Sequence, residues 1–357
     1  MKKKKKIIVS FGTRPEIIKL APIINLLKKR KIILQLVHSG QHYSSNMSKI
    51  FLNDFNINKI QYNLKLGKKK NINSFINSFY KKFKKILLKE KPDYLIVQGD
   101  TNTCLVSALA AKELKNKGSI NTKIAHVEAG LRSYDYKMPE ETNRIIVDHI
   151  SDILFPPTLI QKKILINEGV KKPLFVVGST IVDNLKKMKL KKIKTNFFLL
   201  TIHRFENVSI KSRLKKIINI MIKISKIYNL EVLFPCHPNT QNKIKKFNIN
   251  LNKNIRIINP IDYKKFLFYL KNCSIVFSDS GGIQEEACIL KKNLITFRNN
   301  TERPETININ ANYLSMLNER KVLSRIKMIN QKKILWKKHP YGHNVSQKIV
   351  KNILNEK

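Results

Sequence analysis

Residues 123–152 read KIAHVEAGLRSYDYKMPEETNRIIVDHISD, and this stretch decides the fold. Its apolar start, 123–127, predicts a buried strand that ends at Glu128. Pro139 suits the first position of a helix, and Glu140 then stands in the first turn, where the helix dipole favours a carboxylate. The helix dipole alone is sufficient to explain why a glutamate occurs at position 140. An acidic residue at the end of an apolar strand seldom contributes to the packing of the core. Glu128 is therefore the first candidate functional residue.

The same alternation of strand and helix extends along most of the chain. Short apolar runs such as 7–10, 94–97 and 274–277 alternate with stretches of helical periodicity such as 104–115. This alternation is typical of an α/β protein with parallel sheets. The lysine-rich segment 186–194 shows neither pattern and separates two halves of similar organisation.

Composition argues against several classes of protein. The chain has 357 residues, enough for two domains, and a formal net charge of +46. Its lysines are spread along the whole sequence without an arginine-rich stripe. This distribution indicates solvated helix faces rather than a surface for nucleic acid or membrane. We therefore predict neither nucleic acid nor a membrane as a partner.

The cysteines and the N-terminus indicate the compartment. The four cysteines lie far apart and form no CxxC pair: Cys104, Cys236, Cys273 and Cys288. This pattern favours a reduced, cytoplasmic protein and argues against a zinc site. The N-terminal apolar run is too short for a signal peptide, and no run approaches the length of a membrane span.

Polar residues follow most of the predicted strands, where open parallel sheets bind their ligands. In the first half they are Arg14, Gln41, His42, Asp100 and Glu128. In the second half they are His203, Arg204, Glu206, His237, Asp279, Ser280, Gly281, Gly282, Arg298 and Arg303. A histidine at such a position also suits a structural role in the core or in a turn. Neither half has a GxGxxG motif after its first strand, so a nicotinamide-dependent dehydrogenase is not supported.

The sequence Ser280-Gly281-Gly282 before a predicted helix is the best candidate anion site. Small residues let the backbone approach a phosphate, and the first helical N–H groups point at it. A tight turn between strand and helix explains the glycines equally well. Glu286 in the following turns is placed to accept from ribose hydroxyls, so the site is predicted to bind a nucleoside diphosphate.

Asp100 and Glu128 follow strands that we expect to be neighbours in the sheet. Carboxylates gathered in one site repel each other, so at least one should have a raised pKa and act as a general acid. Three cations elsewhere in the first half, Arg14, Lys19 and Arg132, would either hold a diphosphate or lower the pKa of an acid.

Eight stretches resemble one family, in the same order from end to end of the chain. They are FGTRPEIIKLAP (11–22), SGQH (39–42), QGDTNT (98–103), HVEAGLRS (126–133), MPEETNR (138–144), HRFEN (203–207), SDSGGIQEEA (278–287) and TERPE (301–305). A last block, HPYG (339–342), follows them. The chain thus resembles the non-hydrolysing UDP-N-acetylglucosamine 2-epimerases.

The resemblance implies a GT-B architecture, in which two Rossmann-like parallel-sheet domains face a cleft. It implies an N-terminal domain at 1–180 and a C-terminal, UDP-binding domain at 181–342. The last helix, at 343–357, would pack back on the first domain. The resemblance also implies a UDP-sugar substrate, a homodimer, and neither cofactor nor metal.

The reaction and the residues that serve it are likewise implied by the resemblance. UDP leaves carbon 1 as the proton on carbon 2 is removed, and return of UDP to the 2-acetamidoglucal intermediate gives UDP-N-acetylmannosamine. The implied catalytic groups are Asp100, Glu128 and Glu140 as acids or bases, with His203 beside the diphosphate and the sugar. The implied contacts of the nucleotide sugar are Arg14, Lys19, Arg132, Arg204, His237, Phe266, Ser280, Gly281, Gly282, Glu286 and Arg303. Gln41 and His42 match a loop that binds a second, activating nucleotide sugar in bacterial members.

Other functions remain open at this point. The same mechanism would serve a modified substrate, such as a UDP-diacetamido-uronic acid or a UDP-acetamido-deoxyhexose. A hydrolysing epimerase would release UDP and free N-acetylmannosamine, and a glycosyltransferase would share the fold. From other classes, the chain could be a basic nucleic-acid-binding protein or an inactive sensor of nucleotide sugars.

Overall fold

Two parallel sheets of six strands each organise the chain. The computed structural model describes residues 4–41, 52–68, 71–331 and 336–355. By its internal contacts the chain divides into one unit of residues 1–187 with 341–357 and another of residues 188–340. Among the described helices, none combines the length and the apolar content that crossing a membrane requires.

The first sheet has the strand order β3-β2-β1-β4-β5-β6, and its neighbouring strands are parallel. Its strands are β1 (Lys6–Phe11), β2 (Ile33–His38), β3 (Tyr62–Asn63), β4 (Tyr94–Gln98), β5 (Lys123–Val127) and β6 (Ile153–Phe155). Apolar runs fill the central strands because both faces of a parallel sheet are covered. Since β4 lies between β1 and β5, the loops that follow these three strands meet at one edge of the sheet.

Helices flank this sheet. They include α1 (Arg14–Leu27), α2 (Ile72–Glu90), α3 (Asn102–Asn116), α4 (Pro139–Ile150), α5 (Leu159–Asn167), α6 (Ile181–Lys187) and, from the end of the chain, α14 (Val345–Leu354). Thr13 begins α1 with a capping box, because its hydroxyl accepts from the Glu16 N–H while the Glu16 carboxylate accepts from the Thr13 N–H. The helix α14 packs against α1 and α6.

The second sheet has the order β12-β11-β10-β7-β8-β9. Its strands are β7 (Phe198–Thr201), β8 (Val232–Pro235), β9 (Ile255–Ile258), β10 (Ile275–Ser278), β11 (Leu294–Thr296) and β12 (Asn312–Leu314). The helices around it include α7 (Phe205–Val208), α8 (Lys211–Tyr228), α9 (Pro238–Lys246), α10 (Tyr263–Asn272), α11 (Gly281–Ile289), α12 (Pro304–Asn308) and α13 (Glu319–Gln331). The buried face of α8, with Leu214, Ile217 and Met221, shares one hydrophobic core with Phe198 and Phe277 of the sheet.

The predicted α/β class with parallel sheets is confirmed. The strand β5 has the predicted limits, and β1, β4, β10 and α3 differ from the predicted runs by one or two residues at their ends. Seven of these elements were not predicted: β3, α6, α7, α9, α12, β12 and α13. Most of them are short, so a hydrophobic period has few residues in which to appear. The helix α13 is an exception, because its buried residues Val322, Ile326 and Ile329 recur at helical spacing and were overlooked.

Candidate active site

Glu128 lies where β5 ends, beside the end of the neighbouring strand β4. Its carboxylate accepts from Lys19 Nζ through one oxygen and from Gln98 Nε2 through the other. Lys19 projects from α1, and both members of this ion pair are buried. Glu128 has a φ of 69°, in the left-handed region that is uncommon for a residue with a side chain. The strand end therefore holds a buried carboxylate against one ammonium group and one amide.

Asp100 lies two residues beyond the end of β4, at the same edge of the sheet. Its carboxylate accepts from Arg144 Nη2 of α4, and its side chain keeps 28% of its surface exposed. Asn143 Nδ2, from the same helix, donates to the Asp100 carbonyl oxygen over 2.9 Å. The structure thus brings Asp100 and Glu128 to adjacent strand ends, and each carboxylate has a cationic partner. Their roles as acid or base stay predictions.

The neighbouring acids Glu140 and Glu141 have different surroundings in the first turn of α4. Glu141 is fully buried and accepts from the Ser133 N–H at 2.9 Å and the Tyr134 N–H at 2.8 Å. It also pairs with Arg144 over 2.8 Å. Glu141 therefore fixes the loop before the helix, whereas Glu140 is exposed. The predicted acid/base role of Glu140 stays a prediction.

Glu16 is a carboxylate of this region that the sequence interpretation did not select. Its Oε2 accepts from the Gly12 N–H at 3.0 Å and the Thr13 N–H at 2.8 Å, and its Oε1 accepts from the Thr101 hydroxyl at 2.8 Å. Complete burial raises the pKa of Glu16 to about 7, although these hydrogen bonds oppose the rise. The capping-box spacing from Thr13 to Glu16 was a visible signal for the residue, but not for its burial.

Arg132 was predicted to bind the nucleotide sugar, and the structure pairs it with two carboxylates instead. Its Nη1 lies 2.8 Å from Asp148 Oδ2, and its Nη2 lies 2.6 Å from Glu168 Oε2. The Arg132 side chain is 1% exposed. This geometry gives no support to the predicted contact with substrate, which stays a prediction.

Arg14 and Gln41 lie on the loops that follow β1 and β2. Arg14 is exposed at the first position of α1. The Gln41 Oε1 accepts from the backbone N–H and the hydroxyl of Thr103, at 3.0 and 2.8 Å, so Gln41 is joined to the start of α3. His42 lies outside the described residues, and the predicted activator site at Gln41 and His42 stays a prediction.

In the second unit, Ser280, Gly281 and Gly282 form the start of α11. Ser280 is the N-cap residue and makes no side-chain capping bond there. Glu286, one turn further, is buried and accepts from the Tyr263 hydroxyl over 2.7 Å. The half-buried Phe266 lies on α10, the same helix as Tyr263. Helical N–H groups and a buried acid are therefore present where a diphosphate and a ribose were predicted.

Arg303 and Glu302 lie beside this helix start. Arg303 Nη2 is 3.2 Å from Glu285 Oε2, and Arg298 Nη1 is 2.7 Å from Glu302 Oε2. The Glu302 carboxylate packs on Gly281 so closely that a Cβ added there would lie 2.0 Å from Glu302 Oε1. The start of α11 is thus surrounded by paired acids and arginines.

Asp279 links two motifs of the second unit, HRFEN (203–207) and its own SDSGGIQEEA (278–287), through hydrogen bonds. It accepts from the Arg204 N–H and from Asn207 Nδ2, each at 3.0 Å, and its Oδ1 lies 3.1 Å from His203 Nδ1. Burial opposes ionisation of Asp279, but the hydrogen bond and charge of His203 and the bonds from Asn207 and Arg204 hold its pKa below the usual value. His203 itself is 57% exposed in its side chain.

His203 and His237 line one cavity in this unit, of about 510 Å³. Its other lining residues are Phe205, Val208, Ser209, Asn239, Thr240, Asn242 and Lys243. The structure therefore brings together two histidines that each follow a strand, as expected for residues at the carboxyl ends of parallel strands. Within the described part of the chain, no group of three or more His, Cys, Asp or Glu side chains has the arrangement of a metal site.

Comparison with known proteins gives a consistent result. Residues 25–355 match the family model of the UDP-N-acetylglucosamine 2-epimerases. The UDP-N-acetylglucosamine 2-epimerase of Methanocaldococcus jannaschii is 44% identical over 98% of this chain and 98% of its own length. The UDP-2,3-diacetamido-2,3-dideoxy-D-glucuronate 2-epimerase of Pseudomonas aeruginosa is 34% identical over 87% of this chain and 88% of its own.

Solved structures agree with the sequence relatives. A crystal structure of the Methanocaldococcus jannaschii enzyme in complex with UDP-GlcNAc and UDP has a TM-score of 0.88 and covers 99% of this chain and 100% of its own. A Neisseria meningitidis 2-epimerase bound to UDP-GlcNAc, 30% identical, has a TM-score of 0.87 with 98% and 100% covered. A Rickettsia africae glycosyltransferase, 15% identical with a TM-score of 0.55 over 99% of this chain and 100% of its own, shares the fold alone.

Proposed function

Since this chain belongs to the UDP-N-acetylglucosamine 2-epimerase family, we propose that it interconverts UDP-N-acetylglucosamine and UDP-N-acetylmannosamine without net hydrolysis. A base removes the proton from carbon 2 while the carbon 1–oxygen bond to UDP breaks, which leaves enzyme-bound 2-acetamidoglucal and UDP. The UDP oxygen then returns to carbon 1 as an acid protonates carbon 2 on the opposite face. The reaction makes the chain an isomerase.

The proposal rests on two carboxylates, Asp100 and Glu128, which lie just beyond the ends of β4 and β5. Epimerisation needs one group to take a proton and another to give one, and Glu128 and Asp100 stand on adjacent strand ends. Lys19 and Arg144 contact these carboxylates and hold them in a fixed orientation. A carboxylate that is fixed in place before the substrate arrives needs little reorganisation in the transition state.

Retention of UDP is the second requirement, because a lost UDP would turn the epimerase into a hydrolase. The N-terminus of α11 offers backbone N–H groups to the diphosphate, and Glu286 offers a carboxylate to the ribose. His203, held by Asp279, supplies a further donor beside the phosphates. We assign UDP binding to this helix start and proton transfer to the carboxylates of the first sheet.

Chromatographic analysis of an incubation with UDP-N-acetylglucosamine tests the proposal. We expect a mixture of the two UDP-sugars, with UDP and free sugar remaining at trace levels. Stoichiometric release of UDP and N-acetylmannosamine would instead establish a hydrolysing enzyme. A protein that leaves UDP-N-acetylglucosamine unchanged would contradict the proposed substrate.

The 34% identity to a UDP-2,3-diacetamido-2,3-dideoxy-D-glucuronate 2-epimerase favours that sugar as a second candidate substrate. The mechanism at carbons 1 and 2 would be the same. Values of kcat/KM for the two UDP-sugars, measured in parallel, discriminate between them. We expect the plain N-acetylglucosamine substrate to be preferred, and a preference for the diacetamido-uronate would reverse the assignment.

We also propose that the enzyme acts in the cytoplasm as a homodimer and supplies a mannosamine nucleotide for surface polysaccharide. Its four cysteines are buried and none is in a disulfide, which suits a reducing compartment. Light scattering on the purified protein tests the assembly. We expect twice the chain mass of 41.6 kDa, and a single-chain mass would contradict the dimer.

A further inference from the structure

His126 is a buried histidine of β5 that the proposed mechanism does not use. Its Nδ1 lies 2.8 Å from Asp148 Oδ1, and its Nε2 lies 2.8 Å from the carbonyl oxygen of Gly99. The side chains of His126 and Asp148 are 0% exposed. Both ring nitrogens therefore have a protein partner and neither reaches solvent.

Both partners of His126 are acceptors. A carbonyl oxygen has no proton to give. Asp148 is ionised, because it accepts from the Gly130 N–H at 3.1 Å and from Arg132 Nη1 at 2.8 Å. An imidazole between two acceptors makes both hydrogen bonds only when both nitrogens carry a proton.

The charges of the surrounding cluster lead to the same conclusion. Asp148 and Glu168 contribute two negative charges, and Arg132, which contacts both of them, contributes one positive charge. A protonated His126 supplies the second positive charge, so the cluster is neutral only with an imidazolium. With a neutral ring, the one charge of Arg132 would be shared between Asp148, whose side chain is 0% exposed, and Glu168, whose side chain is 28% exposed, and the buried Asp148 would be less well compensated. The other titratable group against this carbonyl, Cys104, carries its proton and donates to Gly99 O over 3.3 Å.

The hydrogen bond to Gly99 links this charge to the candidate acid Asp100. The Gly99 carbonyl belongs to the peptide bond that leads into Asp100, at a glycine whose φ is +72°. The helix α4 holds the same loop through Asp148 and His126, through Asn143 at the Asp100 carbonyl, and through Arg144 at the Asp100 carboxylate. Three contacts from one helix thus fix the loop that carries Asp100.

We propose that His126 is a positioning residue that is an imidazolium at neutral pH and in this form ties the Gly99–Asp100 peptide to α4. The charge state follows from the hydrogen bonds alone. The consequence for catalysis rests on the proposed function, since Asp100 is one of its acid/base groups. His126 does not touch the substrate and acts through the loop that bears Asp100.

Nitrogen NMR of the full-length protein labelled with ¹⁵N-histidine tests the charge state without any need for activity. We expect one buried histidine at about pH 7 with both ring nitrogens protonated, identified as His126 by its loss in His126→Gln. Should that variant not fold, elimination among the eight histidines of the sequence identifies the resonance. A single protonated nitrogen on His126 would overturn the proposal.

Steady-state kinetics test the consequence for Asp100. We expect His126→Gln to lower kcat by about 10- to 100-fold, because a misplaced acid or base slows the chemical step, while KM changes much less. The matched control is His149→Gln, an exposed histidine on the same helix as Asp148, with kcat as in the wild type. A wild-type kcat in folded His126→Gln would refute the positioning role. If the protein has no epimerase activity at all, the proposed function fails, and the NMR result still decides the charge state.

Discussion

Glu16 gives the folded protein a pH dependence of its own. Its pKa of about 7 in the folded state stands above the ordinary value of 4.5, so the folded chain binds this proton more tightly than the unfolded chain. The free energy of unfolding therefore falls as pH rises from about 4.5 to about 7 and is constant above that range. The full effect is about 3 kcal/mol.

Urea denaturation of wild type and Glu16→Gln at about pH 5 and about pH 7.5 measures this contribution. We expect the wild type to lose about 2 kcal/mol more than the variant between the two values, because part of the full effect lies outside this range. Equal pH dependence in the two proteins would show that Glu16 is ionised to the same extent in the folded and unfolded chains.

In the proposed mechanism, Glu128 is one of the two carboxylates that exchange a proton with carbon 2. Glu128→Gln keeps the shape and the contact with Gln98 but removes the charge that takes up the proton. We expect kcat to fall by about 10²- to 10⁴-fold, as for the loss of a general acid or base. The control is Glu319→Gln, where a surface carboxylate pairs with Lys223 in the second unit. A variant at Glu128 with more than half of the wild-type kcat would remove this residue from the mechanism.

At the scale of elements, the start of α11 allows no side chain at Gly281 but allows one at Gly282. A Cβ at Gly281 would lie 2.0 Å from Glu302 Oε1, whereas the nearest atom to a Cβ at Gly282 is Ser280 Oγ, 4.0 Å away. Glu302 is 5% exposed and held by Arg298, so it has little room to move.

We therefore expect Gly281→Ala to lower the free energy of unfolding by about 1–3 kcal/mol, as overpacking does. Gly282→Ala should be neutral or stabilising by up to about 1 kcal/mol, because alanine restricts the unfolded chain. Chemical denaturation of the two variants checks the pair. Equal losses at both positions would mean that Glu302 does not restrict the site.

Most elements with strong hydrophobic periodicity could be predicted from the sequence, although α13, with Val322, Ile326 and Ile329 at helical spacing, was missed. β5 has the predicted limits because its apolar run is bounded by Glu128 on one side and polar residues on the other. In β12 only one of three residues is buried, so no apolar run indicates it. In α9 three of the nine residues are lysines, and the buried residues are Thr240 and Ile244, so the segment offers little apolar sequence from which to predict a helix.

Some residues of the candidate site could likewise be predicted from the sequence, and others could not. Asp100 and Glu128 could be placed together because parallel strands end at a common edge. His126 and Asp148 could not be selected, because a polar residue inside an apolar strand or helix has no visible partner in the sequence. The sequence left two roles open for Arg132, holding a diphosphate or lowering the pKa of an acid, because its partners Asp148 and Glu168 are distant in sequence and adjacent only in the fold.

At the scale of the whole molecule, the net charge of +46 should affect encounter with an anionic substrate more than chemistry. We expect KM for the UDP-sugar to rise about threefold between about 0.05 and 0.5 M salt, with kcat unchanged, because salt screens long-range attraction. Steady-state kinetics over this range provide the measurement. Tight DNA binding that weakens steeply and log-linearly with salt would instead indicate a nucleic-acid surface.

The central claim is that the chain epimerises carbon 2 by removing and replacing its proton while UDP stays bound. Proton NMR of the reaction in deuterated water tests it most directly. We expect the UDP-N-acetylmannosamine formed to carry deuterium at carbon 2. The remaining UDP-N-acetylglucosamine should also gain deuterium there, and free UDP should not accumulate. Epimerised product that keeps its original proton at carbon 2 would contradict the account.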